Sequence, residues 1–355
     1  MKREAGAGAS PRRPAVSRVR SEEAALEAIA RDAGLSPVGV AHLAGDVGRR
    51  RYFRIALEGD TSVIGVVYHP DEEDSRRRWT AARERLSSRV RVPALHADDG
   101  RGRQIVEDLG TEDLAERFSS RPEERGTWLA RSADVAARIA SMDDPGLNPP
   151  FDAALFFREL DLAREAVFDL LLETPLPADE RRAHDRWAES LAGETAAHPY
   201  ALCHRDFHAN NIFPIEDGAA IIDFQDLRPG PDTYDLASLL WERTTLSWMS
   251  EDAAREAIQA FASRREAETE AEAEAEAESE AEAGVEALSV RLRRVLLQRG
   301  WKVCGTFARA IACGRGDAYR RYLPAELSLV RRLLPAEDDD GAFAAVLRDR
   351  AAALG

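Results

Sequence analysis

A chain of 355 residues has room for one large or two ordinary domains with a full hydrophobic core. With 44% hydrophobic and 32% charged residues it has the composition of a globular protein, and no run approaches the ~18 uninterrupted apolar residues of a membrane-spanning helix. Nine of the negative charges behind the formal net of −15 sit in EAETEAEAEAEAESEAEA (266–283), so the remainder is only mildly acidic and offers no basic field for nucleic acid.

The opening stretch, MKREAGAGASPRRPAVSRVR (1–20), is basic, rich in Gly, Ala, Pro and Ser, and lacks the apolar core of a secretory signal. It is expected to be a disordered leader on a cytoplasmic protein. The three cysteines, Cys203, Cys304 and Cys313, are an odd number without a signal, which fits reduced structural thiols. A helix follows over 22–33, with Leu26, Ile29 and Ala30 on one face and Gly34 at its end. The period then shifts to two, giving strands at 38–44, 51–57 and 62–68, a charged helix at 72–88, and strands at 93–97 and 103–107. Beyond Gly110 the spacing predicts helices at 124–142, 152–172, 178–197, 233–247, 251–264, 286–312 and 325–334. Between them Ile212–Ile215 and Ala219–Ile222 read as a small hairpin turned by Glu216-Asp217-Gly218. The Glu-Ala run is a low-complexity insertion, expected as a solvated, frayed helix or as disorder.

The chemistry concentrates in ALCHRDFHANNIFPIEDGAAIIDFQD (201–226), where His204-Arg205-Asp206 leads, five positions on, to Asn211. Twelve residues later, after the hairpin, comes Asp223. Phosphoryl transfer needs a carboxylate that orients and deprotonates the attacking hydroxyl, which suits Asp206. It also needs hard oxygen ligands for magnesium, which suits Asn211 and Asp223, brought together by the hairpin. His204 would pack and hydrogen-bond beneath the loop. A zinc site from Cys203, His204 and His208 is the rival, without an H-E-x-x-H or paired C-x-x-C to support it.

These stretches resemble the aminoglycoside phosphotransferase superfamily of small-molecule kinases, and within it the bacterial anomeric N-acetylmuramate/N-acetylglucosamine kinases. The likeness is carried by GDVGRRRYFRI (45–55), IVEDLG (105–110), HRDFHANNIF with IIDFQDLRPGPDTYDLASLL (204–240) and LLQRGWKVCGTFARAI (296–311). It implies an α+β, bilobal protein-kinase-like fold, with a small mixed N-terminal lobe (21–107) built on an antiparallel sheet. A larger, mainly helical catalytic lobe (108–355) follows, interrupted by the acidic insertion at 266–283. It also implies ATP and magnesium as cofactors and a small-molecule acceptor, an amino sugar first, with no nucleic acid or membrane partner. The nucleotide phosphates would lie under the turn holding Gly45, Asp46 and Gly48, and adenine would lie against the connector with Glu107 and Leu109. Asp235 would brace the catalytic loop.

Two departures stand out. Ser62–Tyr68 lacks the lysine that kinases place on the third strand; the only lysines are Lys2 and Lys302. An arginine from Arg49, Arg50, Arg51 or Arg54 is therefore expected at the phosphates, Arg50 and Arg51 being nearest the turn and first choices; failing that, nucleotide binding would be impaired. Trp241-Glu242 stands where the sugar kinases have Arg-Asp, which leaves the acceptor open, with Gln225, Asp226 and Glu242 as candidate acceptor contacts. An aminoglycoside or choline-type acceptor (a cation that Asp226, Asp232 and Glu242 keep open), or a nucleotide-binding pseudokinase scaffold, are the alternatives. The clusters Arg76–Arg78 and Arg291/Arg293/Arg294 are expected to be solvated helix faces.

Overall fold

A computed structural model describes residues 13–43, 50–216, 218–270, 278–314, 316–334 and 341–354. The chain divides into two compact units, Met1–Thr80 with Val92–Gly110, and Ala81–Arg91 with Thr111–Gly355.

The first unit is an antiparallel five-stranded sheet in the order β1-β2-β3-β5-β4. Its strands are β1 (Pro37–Leu43), β2 (Arg51–Leu57), β3 (Ser62–Val67), β4 (Leu95–Asp98) and β5 (Arg103–Glu107). The period-two pattern decides what each strand buries. Phe53 and Ile55 are fully enclosed, whereas Tyr52 and Arg54 point the other way. The apolar face is covered by α1 (Arg13–Asp32), whose Leu26 packs with Phe53, Ile55, Val63, Val67 and Ile105. Gly65 permits this, because a Cβ there would stand 2.8 Å from Leu26. Each enclosed large side chain contributes on the order of 1.5–3 kcal/mol. α1 begins at Arg13, so residues 13–20 of the expected leader are helical; residues 1–12 lie outside the described residues. Pro70 opens the turn that leads into α2 (Glu73–Leu86).

The second unit contains α3 (Leu114–Ser120), α4 (Arg125–Ala140), α5 (Ala153–Arg164), α6 (Ala178–Ala196), α7 (Tyr234–Leu240), α8 (Glu251–Glu270), α9 (Glu278–Ala312), α10 (Leu323–Leu333) and α11 (Gly341–Arg350). Side chains of Asp113 and Asp152 cap α3 and α5, accepting from the N–H of Glu116 (2.8 Å) and Leu155 (2.6 Å). α5 continues as a π-helical segment over Glu165–Leu171 rather than as α-helix to residue 172. The core lies where α5, α6, α9, α10 and α11 meet, around Trp187, Trp301, Phe168 and Phe343. Gly305 lets α9 close on α5, since a Cβ there would stand 2.4 Å from the Ala163 Cα.

Two short antiparallel pairs complete this unit. β6 (Tyr200–Cys203) pairs with β9 (Arg228–Pro231), and β7 (Ile212–Ile215) with β8 (Gly218–Ile221). The hairpin matches the one expected; the β6–β9 pair was not anticipated. The Glu-Ala run extends α8 to Glu270 and opens α9 at Glu278, and residues 271–277 lie outside the described residues. Among the described residues no helix is long and apolar enough to cross a membrane.

Candidate active site

The H-R-D loop leaves β6 and turns at Arg205, whose φ of 82° lies in the left-handed region that costs a non-glycine residue on the order of 1 kcal/mol. Two hydrogen bonds hold that conformation. The Asp235 carboxylate, buried at the start of α7, accepts from the backbone N–H of His204 (2.6 Å) and of Arg205 (2.9 Å). His204, fully buried, donates from Nε2 to the carbonyl of Ile222 at 2.9 Å and so ties the loop to the far end of the hairpin.

The hairpin then performs the juxtaposition. Ile212 pairs with Ile221, and the N–H of Ile222 donates to the Asn211 carbonyl at 3.0 Å, which sets Asn211 beside the Asp223 segment. Asn211 Nδ2 donates to the Asp206 carbonyl at 2.9 Å, so the three residues belong to one connected structure. Asp223 also adopts a left-handed φ, 65°, and its Oδ1 accepts from Gln225 Nε2 at 2.9 Å. Asn148, not anticipated from sequence, donates to the carbonyls of Gln225 (3.1 Å) and Leu227 (3.0 Å) and fixes the turn after Asp223.

The charge around Asp206 comes largely from α9. Burial pushes its carboxyl up, but Lys302, Arg299 and Arg205 outweigh burial and hold it below the ordinary aspartate range. These cations are themselves fixed. Arg299 donates to the Arg205 carbonyl (2.9 Å) and to Ser238 Oγ (2.6 Å), and its guanidinium lies 4.5 Å over the Tyr234 ring. Lys302 donates to the Tyr234 hydroxyl (3.3 Å) and lies 3.5 Å from the Glu159 carboxylate. Buried Glu159 also accepts from Gln298 Nε2 at 2.9 Å. Sequence reasoning missed Glu159, Gln298, Arg299 and Lys302 as site residues; the signal was there in LLQRGWKV, which carried the resemblance without a role. His208, beside Asp206, is lowered to about 4 by burial, against the pull of Asp206.

The donor set bears on the metal. Asn211 and Asp223 offer amide and carboxylate oxygens, the hard ligands magnesium takes, and they fit it. The zinc alternative does not assemble: Cys203 Sγ faces the carbonyls of Ala201 and Pro231, and His204 Nε2 is occupied. Among the described residues, the one group of His, Cys and carboxylate ligands within mutual reach is Asp161, His184 and Asp185.

The remaining expected contacts are placed as follows. Gly45, Asp46 and Gly48 lie outside the described residues. Arg50 and Arg51 diverge. Arg51, on the Phe53 face that α1 covers, forms an ion pair with Glu22. Arg50 donates to Ser75 Oγ (2.8 Å), lies 3.7 Å from the Glu72 carboxylate and stands 5.3 Å over the Tyr68 ring. The Glu107 carboxylate accepts from the N–H of Ala94 (2.9 Å), a structural use, and Leu109 is half-buried just beyond β5. Arg54 forks onto Asp108 (2.6 and 3.1 Å) and reaches the Gly110 carbonyl (3.0 Å), while Ser62 donates to Asp108 (2.6 Å). RRYFR and IVEDLG thus meet in one ion pair. Arg76 is buried and paired with Glu73 and Asp98, contrary to the solvated face expected for it.

In the second unit, Asp226 lies 3.2 Å from Arg205, and buried Glu242 accepts from the N–H (3.1 Å) and hydroxyl of Thr244. Burial pushes the Glu242 carboxyl up. α7 ends at Leu240, not 247, because Thr245 turns its hydroxyl onto the Leu240 carbonyl at 2.8 Å.

A braced aspartate loop followed by a hairpin that returns an Asn and an Asp to its side is the arrangement that kinase-type phosphoryl transfer calls for. Residues 39–300 match the phosphotransferase enzyme family, and the chain belongs to that family; it is an enzyme that phosphorylates an alcohol group. It is 27% identical over 293 residues to the N-acetylmuramate/N-acetylglucosamine kinase of Neisseria meningitidis serogroup B, covering 82% of this chain and 84% of that one. The kinase of the same name from Pseudomonas putida is 28% identical over 205 residues, covering 57% and 59%. Among solved structures, a choline/ethanolamine kinase family protein from Mesorhizobium loti superposes with a TM-score of 0.58 at 16% identity, covering 93% of this chain and 99% of that one. An ADP-bound aminoglycoside phosphotransferase gives 0.57 at 16% identity, covering 89% and 97%. These likenesses establish the protein-kinase-like fold.

Proposed function

We propose that the chain transfers the γ-phosphoryl group of ATP to the anomeric hydroxyl of an N-acetylated amino sugar. The observation that carries the reading is the convergence of Asp206, Asn211 and Asp223 on one loop and hairpin. Asp206 is the base: the cations around it keep it ionised, and it takes the hydroxyl proton as the sugar oxygen bonds to phosphorus and the bond to the departing ADP oxygen breaks. Asn211 and Asp223 would hold magnesium, which when bound neutralises charge on the phosphate oxygens. Asp235 and His204 keep the loop in place. In the first unit Arg50 and Arg51 would supply the cations for the phosphates and Glu107 and Leu109 the adenine contacts; Arg50 is held by Ser75 and Glu72, Arg51 by Glu22, and the Glu107 carboxylate by the Ala94 N–H, all within that unit.

The acceptor class is supported by the names of the related kinases and by the acidic groups that had left a cationic acceptor open. Asp226 is opposed by Arg205, Asp232 by Arg291 (2.7 Å), and Glu242 is buried on Thr244. None is an exposed, unopposed carboxylate of the kind an aminoglycoside's ammonium groups would seek. The test is a phosphate-transfer screen of the purified protein on amino sugars, aminoglycosides and choline, with Asp206→Asn alongside. N-acetylglucosamine and N-acetylmuramate should be phosphorylated, and the variant should lose roughly 10²–10⁴ in turnover while still binding nucleotide. Preferential transfer to choline or an aminoglycoside would replace the acceptor assignment, and near-normal turnover in the variant would remove Asp206 from the role of base.

A further inference from the structure

Asp206, His208 and Asn211 form a closed set of hydrogen bonds whose donors and acceptors can be worked out one by one. The Asp206 carbonyl accepts from the His208 backbone N–H at 3.1 Å and from Asn211 Nδ2 at 2.9 Å. A carbonyl oxygen can only accept, so the Asn211 amide must present its nitrogen there, and its orientation is fixed. The same Nδ2 lies 3.4 Å from His208 Nε2. Since Nδ2 donates, Nε2 must be the acceptor, and the ring proton sits on Nδ1. Both amide protons are therefore spent inside the loop, and by trigonal geometry Oδ1 is turned away from it. Asn211 has no hydrogen bond to Oδ1 among the described residues.

We propose that His208 is a positioning residue: its Nε2 lone pair holds the second amide proton of Asn211 and keeps Oδ1 directed to where the divalent cation would be bound. The proposal rests on the reading that Asn211 is a magnesium ligand. A single bond to the Asp206 carbonyl leaves the amide able to pivot; a second bond, from the other proton to a ring seated between Asp206 and Asn211, removes that freedom. Partners of this kind behind a metal ligand are worth roughly 10–100-fold in metal affinity. The ring is not set up as a base, because Nε2 is occupied and Nδ1 is buried without a partner. The neighbouring Phe207, fully enclosed, holds the backbone under it.

The test is Mn²⁺ binding, followed by the loss of the free-ion electron paramagnetic resonance signal, in the presence of a non-hydrolysable ATP analogue. His208→Leu keeps bulk and removes the acceptor; His208→Gln puts Oε1 near the place of Nε2. The leucine variant should bind Mn²⁺ about 10–100-fold more weakly, the glutamine variant should recover most of that loss, and metal-free affinity for the analogue should be unchanged in both. Equal weakening in both variants, or wild-type affinity in His208→Leu, overturns the proposal. Asn211→Ala separates the two levels: wild-type Mn²⁺ affinity there sinks the ligand assignment itself, whereas weak binding there with a normal His208→Leu sinks only the role of His208. A measurement on the unaltered protein stands independent of whether the variants fold. Histidine ¹⁵N shifts should report His208 as the Nδ1–H tautomer, and an Nε2–H tautomer refutes the proposal.

Discussion

Asp235→Ala removes the brace of the H-R-D loop without touching Asp206. The Asp235 carboxylate accepts two backbone N–H bonds, at 2.6 and 2.9 Å, in a site where Asp235 is 4% exposed. Hydrogen bonds to a charged group are worth about 1.5–3 kcal/mol each, and truncation leaves both N–H groups buried without an acceptor. Against this stands the desolvation that the ionised carboxylate itself suffers, the cause that pushes its pKa upward despite His204 and the two N–H bonds. The balance is a loss of about 3 kcal/mol, or roughly 6–9 °C in melting temperature for a domain of this size. Arg205 is held at φ 82° by one of these bonds, so the loop should relax and turnover should fall together with stability. Scanning calorimetry and a coupled kinase assay on the same preparation test both. A melting temperature within ~2 °C of wild type, with unchanged turnover, refutes the brace.

Two pH experiments follow from the buried charges. Lys302→Met removes the strongest of the cations that hold the Asp206 carboxyl down, so the acid limb of the kcat/KM profile should move to higher pH; an unmoved limb counts against Lys302 as its support. Glu326, 1% exposed with neither carboxylate oxygen hydrogen-bonded, is pushed to about 8 by burial and then by Glu242. Its folded value lies above its ordinary one, so the native state keeps a proton that the unfolded chain releases, and stability should fall as pH rises from ~4.5 to ~8. Glu326→Gln should flatten that slope in melting temperature, and an identical slope rejects the assignment.

Strands β1, β2, β3 and β5 and the hairpin were legible because their side-chain alternation is local. β6 and β9 were not, because Pro229 and Pro231 argue against a strand, yet an edge pairing needs only some of the backbone donors. The catalytic and metal candidates could be read because H-R-D-x-x-x-x-N and the following Asp lie within twenty residues. The use of the arginines could not. Alternation places Arg51 on one face of β2 and Arg54 on the other, but it does not say that Glu22 awaits the first and Asp108 the second. Arg76 reads as surface because its neighbours are charged, and it is buried because Asp98 comes to meet it from β4.

The contacts of α9 change what the most distinctive stretch of the sequence is for. LLQRGWKVCGTFAR carries a resemblance without a role when read alone, since it lies far from the HRD loop in the chain. In the fold its polar residues converge on the underside of that loop. Gln298 fixes Glu159, Arg299 bonds the Arg205 carbonyl, and Lys302 meets the Tyr234 hydroxyl, while Gly305 allows the helix to approach α5. A lysine at 299 could not bond the Arg205 carbonyl and Ser238 at once while stacking on Tyr234, because that takes a planar fork. The motif therefore supports the loop that carries Asp206. The same logic applies to Arg54 and Asp108, where two motifs that look independent in sequence are the halves of one bidentate pair.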